Sequence, residues 1–342
     1  MNRNVAPGRL LANLVDGFLE LTVVGSFSRV GPVVRSRLDG WAPPAAGALT
    51  GQTALVTGPT SGLGRIAAGR LADLGARVVL VGRDGGRLAR VRDELAERSG
   101  DDRYPIVVAD MSLVASANHA VRVVRASEPR LDILIDNAGA IHEERRETSE
   151  GMEATLAVLV VGPFSLTAGL MPMLLEAPAS RVIAVTSGGM YAQPVDLGDL
   201  EWKARPYNGV RAYAQGKRIQ VALVREWARR LAGTSVSVNA MHPGWADTPG
   251  LADSLPGFYR LMKPILRNAE QGVDTITWLA TAATADAPGA PGGRLYLDRR
   301  PRPFDRLPAT RLSAVDRQEL WEQVSELAGI DPDVAERVQQ NG

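Results

Sequence analysis

Two tyrosines in this chain are each followed four residues later by a lysine, as Tyr213/Lys217 and Tyr259/Lys263. The chain has only three lysines among its 39 basic residues, so arginine is used almost everywhere else. Arginine stays protonated, whereas lysine is a compact ammonium that can lose its proton. On a helix this spacing puts both side chains on one face, where the ammonium can lower the pKa of the phenol. Either pair could therefore exchange a proton with a substrate.

A glycine-rich turn follows the first strongly apolar segment. Gly58, Gly62 and Gly64 come directly after Thr53–Thr57, and a helical pattern starts near Leu63. Glycines in a strand–turn–helix unit let the backbone approach a pyrophosphate, which the free N–H groups of the helix start can bind. The sequence therefore predicts a dinucleotide site at this turn.

Short apolar segments alternate with helical segments over most of the chain. The predicted strands are Thr53–Thr57, Ala76–Val81, Pro105–Ala109, Leu131–Ile135, Arg181–Thr186 and Ser235–Ala240. Continuous apolar strands separated by helices predict a parallel sheet that is covered on both faces, with right-handed connections. The fold class is therefore α/β, a Rossmann-like doubly wound parallel sheet with three α/β/α layers.

Segments rich in proline and glycine, 42–51 and 287–293, mark the ends of this block. We predict three parts in chain order: a helical N-terminal extension (1–49), a dinucleotide-binding sheet domain (50–298) and a C-terminal tail (299–342) with one helix from Ala314 to Leu327.

The glycine turn is one of several landmarks that resemble the short-chain dehydrogenase/reductase family and follow that family's order. The others are Asp110 after the third strand, Asn137-Ala138-Gly139 after the fourth, Ser187 at the end of the fifth, Tyr213 with Lys217, and Pro243-Gly244 with Thr248. The resemblance covers about residues 50–300 and is specific because the whole set is present in order. It implies cofactor contacts from Gly58, Thr60, Ser61, Gly62, Leu63, Gly64, Asp110, Met111, Asn137, Ala138, Gly139, Tyr213, Lys217, Pro243, Gly244 and Thr248.

The resemblance also implies the chemistry, hydride transfer between a nicotinamide ring and a carbonyl or alcohol carbon. Tyr213 would act as general acid or base, and Lys217 would lower its pKa and bind the nicotinamide ribose. Ser187 would donate a hydrogen bond to the substrate oxygen. Tyr259/Lys263 comes later in the chain, after the Pro243-Gly244 turn, and is interpreted as a structural or lid pair.

The end of the second predicted strand bears on the choice of cofactor. NAD sites usually place an acid there, whereas the 2′-phosphate of NADP attracts a cation. Gly82 occupies the acidic position, and Arg83 follows it. The sequence therefore favours NADP over NAD, with pairing of Arg83 to Asp84, or its stacking on adenine, as the alternatives.

Two features depart from the family pattern. The asparagine that helps to hold a water beside the lysine in the family falls on Leu159, and no asparagine lies between Asn137 and Asn208. This gap motivates the alternative function, a dinucleotide-binding sensor or scaffold without turnover. The segment between Ser187 and Tyr213 is also long. We expect it to border the substrate pocket, unless its aromatic residues Tyr191, Trp202 and Tyr207 only anchor it.

Composition limits the partners. A net charge of +1 argues against a nucleic-acid partner, so we expect a small-molecule carbonyl or alcohol substrate. Zero cysteines exclude disulfides and fit a cytoplasmic protein. The histidines His119, His142 and His242 lack ligand-like spacing, so no metal is predicted.

Two apolar segments bear on membranes and on oligomers. Ala154–Leu175 is uncharged and long enough to cross a membrane, but its glycines and prolines favour a buried or interface helix. With a helix over Tyr213–Leu231 it would suit a homo-oligomer interface, as the resemblance implies. Near the N-terminus a helical apolar pattern is interrupted by Asp16 and Glu20, which predicts a helix docked on its own domain. Peripheral membrane contact is the alternative for that pattern, whose members are Leu11, Leu14, Val15, Phe18, Leu19 and Thr22.

Overall fold

The computed structural model describes residues 7–281 and 292–334. Within them one sheet has the strand order β3-β2-β1-β4-β5-β6-β7-β8. The strands are β1 Thr53–Thr57, β2 Arg77–Gly82, β3 Ile106–Val108, β4 Ile133–Asp136, β5 Ser180–Val185, β6 Val236–Met241, β7 Leu295–Leu297 and β8 Arg300–Arg302. All pairs are parallel except β7–β8. The predicted doubly wound sheet is confirmed, and its order reverses between β1 and β4, where such sheets bind ligands.

Helices cover both faces of the sheet, as predicted. They are α1 Pro7–Leu21, α2 Val23–Phe27, α3 Val30–Asp39, α4 Gly62–Asp73, α5 Gly85–Ser99, α6 Val114–Ser127, α7 Ala154–Glu176, α8 Gly209–Arg230, α9 Pro249–Ser254, α10 Pro256–Met262, α11 Ala269–Thr281 and α12 Ala314–Ala328. One core joins the sheet to α4, α5 and α11, and the other joins it to α6, α7, α8 and α12.

Helix α7 is the one helix in the described ranges that is long and apolar enough to cross a membrane. Most of it is buried inside the protein, in line with the prediction of a buried helix. One turn of it, Ala157–Val161, is a π-helix, a rare irregularity that often marks functional sites.

Helix α12 packs on α7 and α8, on the surface where the sequence predicted a second copy of the chain. Trp321 of α12 is fully buried, with its ring 4.9 Å from that of Phe164 and 4.7 Å from that of Trp227. The guanidinium of Arg230 lies 4.3 Å from the Trp321 ring. The chain's own C-terminal helix therefore covers part of the surface that was predicted to be an oligomer interface.

The N-terminal extension is held on the sheet domain by buried ion pairs. Arg35 binds Asp16 over 2.7 Å and Asp298 over 2.5 Å, and Arg267 binds Asp298 over 2.5 Å. Arg302 of β8 also binds Asp16, over 2.7 Å. The boundary predicted after residue 298 falls in the turn between β7 and β8, so the tail begins as part of the sheet. The predicted proline- and glycine-rich boundary 287–293 lies mostly outside the described residues.

Helix α1 docks through a face other than its most apolar one. Its buried residues are Ala12, Asp16 and Leu19. The opposite face is exposed and consists of Leu11, Leu14, Phe18 and Leu21, each at least 60% exposed. Helix α1 docks on its own domain as predicted, but ion pairs rather than its exposed apolar residues attach it.

Candidate active site

Ser187, Tyr213 and Lys217 lie together at the carboxyl end of β5. Ser187 follows the strand, and the other two side chains come from the first turns of α8. The Thr186 hydroxyl donates to the carbonyl oxygen of Lys217 over 2.8 Å, and Lys217 Nζ donates to the carbonyl oxygen of Val185 over 2.7 Å. These two bonds fix α8 against the strand that carries Ser187.

Tyr213 and Lys217 share one helix face, as their spacing predicted. Lys217 Nζ lies 5.6 Å from the centroid of the Tyr213 ring. Burial raises the pKa of Tyr213 to about 12, and its hydrogen bond with Ser187 opposes that rise. The sequence predicted a lowered pKa for this phenol. In this structure the loss of solvation acts on the pKa in the opposite direction.

Lys217 is buried near a second buried ionisable group, Asp136 at the end of β4. Burial lowers the pKa of the Lys217 ammonium to about 7, and the charge of Asp136 opposes that fall. Burial also raises the pKa of Asp136 to about 7, against a hydrogen bond from Thr167 and the charge of Lys217. Because the two groups interact, their protonation is coupled.

Thr57 ties the glycine turn to the segment after β4. Its Oγ1 accepts hydrogen bonds from the N–H groups of Asn137 and Ala138 over 2.9 and 3.0 Å. Asn137 Nδ2 donates to the carbonyl oxygens of Thr57 and Gly58 over 2.9 and 3.3 Å. The two predicted cofactor motifs therefore form one rigid unit.

The glycine turn has the geometry needed to hold a pyrophosphate. Gly58 has a φ of 68°, and a Cβ on Gly64 would overlap the Gly58 carbonyl and Asn137 Nδ2. Helix α4 starts at Gly62, and the Ser61 side chain makes no hydrogen bond to its first N–H groups. These N–H groups can therefore bind an anion. The residues present fit a dinucleotide.

A cavity of about 400 Å³ lies beside these groups. Its polar side chains are Asn137, Thr186, Ser187, Tyr213, Lys217, Thr248 and Ser254. Most of the remaining wall is apolar and includes Leu63, Ile141, Val210, Trp245, Leu251, Leu255 and Phe258. Helices α9 and α10 contribute several of these apolar side chains and cover the site.

The predicted cofactor residues fall into two groups. Those that line the cavity are Leu63, Asn137, Gly139, Tyr213, Lys217, Pro243, Gly244 and Thr248. Those outside its wall are Gly58, Thr60, Ser61, Gly62, Gly64, Arg83, Ala138, Asp110 and Met111. The second group lies on the turn after β1 and at the ends of β2, β3 and β4. Asp110 Oδ1 accepts hydrogen bonds from Ser112, and the Met111 side chain is buried in the core.

Arg83 is exposed directly after β2. Among the described residues, no salt bridge or side-chain hydrogen bond involves it. Asp84 does not pair with it, because the Asp84 carboxylate accepts from the N–H of Arg87 and caps α5. The alternative in which Arg83 pairs with Asp84 is therefore not found in the structure.

Leu159 is fully buried in the π-helical turn of α7, next to the lysine. Its Cδ2 lies 2.8 Å from the position that a Cβ on Gly139 would take, and Lys217 Nζ lies 3.8 Å from that same position. Its Cδ1 lies 2.9 Å from the Cβ position of Gly216. The departure from the family pattern at Leu159 therefore lies at the active site itself.

Phe27 of the N-terminal extension contacts the segment that follows Ser187. The sequence did not predict this contact. A Cβ on Gly188, next to Ser187, would overlap the Phe27 ring. The ring also lies 5.8 Å from that of Trp245, and the Phe27 carbonyl accepts from the Trp245 N–H over 2.8 Å. Trp245 lines the cavity, so the extension supports the site wall.

The aromatic residues between Ser187 and Tyr213 anchor this segment and do not line the cavity. Tyr207 hydroxyl donates to Glu153 over 3.0 Å, and its ring lies 5.9 Å from that of Trp202. Tyr191 hydroxyl donates to the Pro303 carbonyl over 3.0 Å. From this segment, only Gly189 and Val210 line the cavity. The segment therefore borders the cavity as expected, through Gly189 and Val210, while its aromatic residues anchor it.

The second tyrosine–lysine pair lies on α10 and the turn after it. Lys263 Nζ lies 5.5 Å from the Tyr259 ring, and Tyr259 hydroxyl donates to Asp247 over 2.9 Å. Neither residue lines the cavity, in agreement with a structural or lid pair. Within the described ranges, no group of three or more histidine or acidic side chains is placed to hold a metal.

Comparisons with known proteins agree with this arrangement. The family described as short chain dehydrogenase matches residues 52–256. The chain is 38% identical over 280 residues to dehydrogenase/reductase SDR family member 12 of Bos taurus, covering 81% of this chain and 86% of that protein. It is 31% identical over 230 residues to retinol dehydrogenase 13 of Homo sapiens, covering 67% and 70%.

Solved structures show the same fold. A short chain dehydrogenase from Salmonella enterica serovar Typhi superposes with a TM-score of 0.62 at 24% identity, covering 76% of this chain and all of that one. A Beutenbergia cavernae protein of the NAD(P)-dependent gluconate 5-dehydrogenase type, solved with NADP at low occupancy, superposes with a TM-score of 0.59 at 27% identity. The match covers 73% of this chain and 96% of that one.

Proposed function

This chain belongs to the short-chain dehydrogenase/reductase family and is an oxidoreductase acting on a CH–OH/C=O pair with a nicotinamide dinucleotide, and we propose that it uses NADP and an apolar substrate. The observation that carries this proposal is the single cavity lined by Ser187, Tyr213 and Lys217 beside the glycine turn. Bound nicotinamide supplies or accepts the hydride, and the residues of the chain manage the oxygen and its proton.

The buried phenol suits the reduction of a carbonyl. With a pKa near 12, Tyr213 is protonated at neutral pH and can donate its proton to the substrate oxygen. Ser187 donates a hydrogen bond to the same oxygen. The ammonium of Lys217 stabilises the tyrosinate that remains. In the reverse direction, Tyr213 takes the proton of the alcohol.

The preference for NADP is supported by Arg83. Gly82 leaves no acid at the end of β2 for the ribose hydroxyls, and the exposed Arg83 guanidinium lacks a partner among the described residues. A free guanidinium binds a 2′-phosphate with two hydrogen bonds. The NADP in the gluconate 5-dehydrogenase-type structure supports the same choice.

An apolar substrate is supported by the side chains around the catalytic groups. Trp245, Phe258 and Leu255 contribute carbon surface to the cavity wall, and few polar groups other than the catalytic ones face it. A relative of the chain is named for retinol, an apolar alcohol. We expect long-chain or cyclic carbonyls to bind better than small polar ones.

The proposal is tested by screening aldehydes, ketones and alcohols while following NADPH absorbance. We expect turnover with an apolar carbonyl, and a loss of at least about 100-fold in kcat for Tyr213→Phe, the lower range for general acid catalysis. Tyr259→Phe is the matched control and should retain the rate. Tight NADPH binding without turnover above the Tyr213→Phe variant would instead support the sensor or scaffold function.

We also propose peripheral contact between α1 and a lipid surface. The N-terminal extension that carries α1 adjoins the covering segment of the site, because the N–H of Arg29, between α2 and α3, donates to the carbonyl oxygen of Ile265 over 2.9 Å. Leu261 of α10 is also exposed, at 77%, and Arg29, Arg260 and Lys263 add exposed positive charge. Apolar side chains flanked by cations suit an anionic bilayer, which would also hold an apolar substrate.

For the oligomeric state, we propose that α12 takes the place of a second copy on α7 and α8, so that the chain is a monomer. The support is the complete burial of Leu320, Trp321 and Val324 in that contact. A second chain could reach the same surface only by displacing them.

A further inference from the structure

Asp136 is a buried acid that the reaction described above does not use. It ends β4, and its Oδ2 accepts a hydrogen bond from Thr167 Oγ1 over 3.1 Å. Within the described ranges its Oδ1 has no hydrogen-bond partner. A buried carboxylate with an unpaired oxygen is costly, and an asparagine of the same shape would avoid the charge.

A cavity of about 30 Å³ lies against this carboxylate, lined also by Leu159, Thr167 and Gln220. Gln220 Nε2 donates to the Leu159 carbonyl over 2.7 Å, so the remaining polar atom of this side chain is the acceptor Oε1. In the described part of the chain, Oε1 has no hydrogen-bond partner either. Two unpaired acceptors on a cavity of this size suit one water molecule, which can donate to both.

Leu159 separates this cavity from the lysine. Its side chain packs between Gly139 and Gly216, beside Lys217 Nζ. A leucine cannot hold a water for the ammonium. The charge of Asp136 favours the protonated form of Lys217, against the effect of burial.

We propose that Asp136 is a positioning residue, whose carboxylate, solvated by a water shared with Gln220, keeps Lys217 in the charged form that Tyr213 needs. This rests on the oxidoreductase function proposed above. Asp136 acts through the lysine and touches no substrate. It compensates for Leu159, which closes the usual route from the lysine to water.

The side chains that surround Asp136 support this role. The side chains that face Asp136 from α7 are Leu159 and Thr167, and Gln220 faces it from α8. None of these is charged, and the charge of Lys217 lowers the pKa of Asp136 against the effect of burial. The negative charge of Asp136 in turn raises the pKa of Lys217 against the effect of burial.

The first test is the pH dependence of carbonyl reduction in Asp136→Asn, which keeps the shape and removes the charge. We expect the basic limb of kcat/KM to move down by at least about one pH unit, equivalent to a tenfold change in the protonation of Lys217. The KM for NADPH should stay the same. In Asp136→Glu the extra methylene extends into the adjoining cavity and the charge is kept. The basic limb of kcat/KM should therefore stay at the pH of the parent chain.

Asp132→Asn is the matched control. Asp132 is also buried, directly before β4, where it accepts hydrogen bonds from the N–H of Thr53 and from Arg130. Its loss should lower stability and leave the basic limb in place. An unchanged limb in Asp136→Asn, or an equal shift in Asp132→Asn, would overturn the proposal.

The second readout is thermal stability, which does not require turnover. Because the pKa of Asp136 is raised from 3.8 to about 7, this group destabilises the fold as pH rises through that interval. Asp136→Asn should therefore gain in Tm relative to the parent chain between pH 5 and pH 8, even as its activity falls. If Asp136 had a purely structural role, Asp136→Asn would lower both the Tm and the activity. If the parent chain reduces no carbonyl but this Tm pattern is found, the proposed function fails, while the raised pKa of the buried Asp136 stands.

Discussion

The ring of Phe27 occupies the space that a side chain on Gly188 would need. This contact joins the N-terminal extension to the residue that follows the catalytic Ser187. The same ring lies 4.7 Å from that of His242, which is fully buried at the end of β6. The extension therefore packs against residues next to the active site and supports its wall.

Gly188→Ala should lower both activity and stability, because the new methyl group displaces the Phe27 ring. We expect a cost of about 1–3 kcal/mol, typical of overpacking. The check is a double-mutant cycle with Phe27→Ala, followed by urea unfolding. Gly188→Ala should cost at least about 0.5 kcal/mol less in the Phe27→Ala background, as expected for residues in contact. Strictly additive effects would contradict this contact.

Arg83→Ala should weaken the use of NADPH selectively. A guanidinium–phosphate pair contributes about 1.5–3 kcal/mol, so we expect kcat/KM for NADPH to fall at least about tenfold with little change for NADH. Arg87→Ala removes another exposed arginine from the start of α5 and serves as control. Equal losses with both cofactors would show that Arg83 does not select the phosphate.

Vesicle binding tests the exposed face of α1. The double change Leu14→Ser and Phe18→Ser should reduce co-flotation with phosphatidylcholine–phosphatidylglycerol vesicles, because it removes apolar area worth about 1.5–3 kcal/mol per side chain. Val315→Ser changes an equally exposed apolar residue on α12 and should have no effect. If the parent chain does not float with these vesicles, the lipid-surface proposal is wrong.

Trp321→Ala should unfold more easily and expose the surface of α7 and α8. Replacing a fully buried tryptophan costs about 3–5 kcal/mol. Light scattering after gel filtration should give a monomer for the parent chain and association for Trp321→Ala. The same Val315→Ser variant is the control for a change on α12. A dimeric parent chain would contradict the proposed role of this helix.

Acid should loosen the N-terminal extension. Arg302 and Arg35 hold the pKa of Asp16 well below its usual range, against the effect of burial. This stabilisation is complete above the unfolded pKa of about 3.9 and is lost as pH falls below it. Asp16→Asn should cost up to about 3–5 kcal/mol at pH 7 because it removes one carboxylate partner from each of the buried Arg35 and Arg302. Unfolding monitored from pH 7 to pH 2 checks this, with the exposed Asp93→Asn as control.

The central sheet was predictable because each of its first six strands is a continuous apolar run. The predicted limits lie within two residues of β1 to β6. Strands β7 and β8 were not predicted, since they are three residues long and β8 contains Pro301. A short run with a proline gives no strand signal, and only pairing at the sheet edge defines it.

The active-site residues were predictable in position but not in environment. Their order along the chain placed Ser187, Tyr213 and Lys217 in one cavity, as the structure has them. The raised pKa of Tyr213 and the nearness of Asp136 depend on burial, which a motif does not encode. The docking face of α1 was not predictable either, since it is set by Asp16, whose partners Arg35 and Arg302 lie 19 and 286 positions away in sequence.

The Arg35–Asp298 ion pair also sets an order of events during synthesis. Its two partners are 263 positions apart, so the contact cannot form until nearly the whole chain has left the ribosome. Until then Arg35 lacks this partner, and Ala12 and Leu19, the apolar residues of α1 that are buried in the fold, remain accessible to other molecules in the cell. Contacts of such long range also slow folding. The nascent chain therefore passes through a stage at which the sheet has begun to assemble but the extension is still loose.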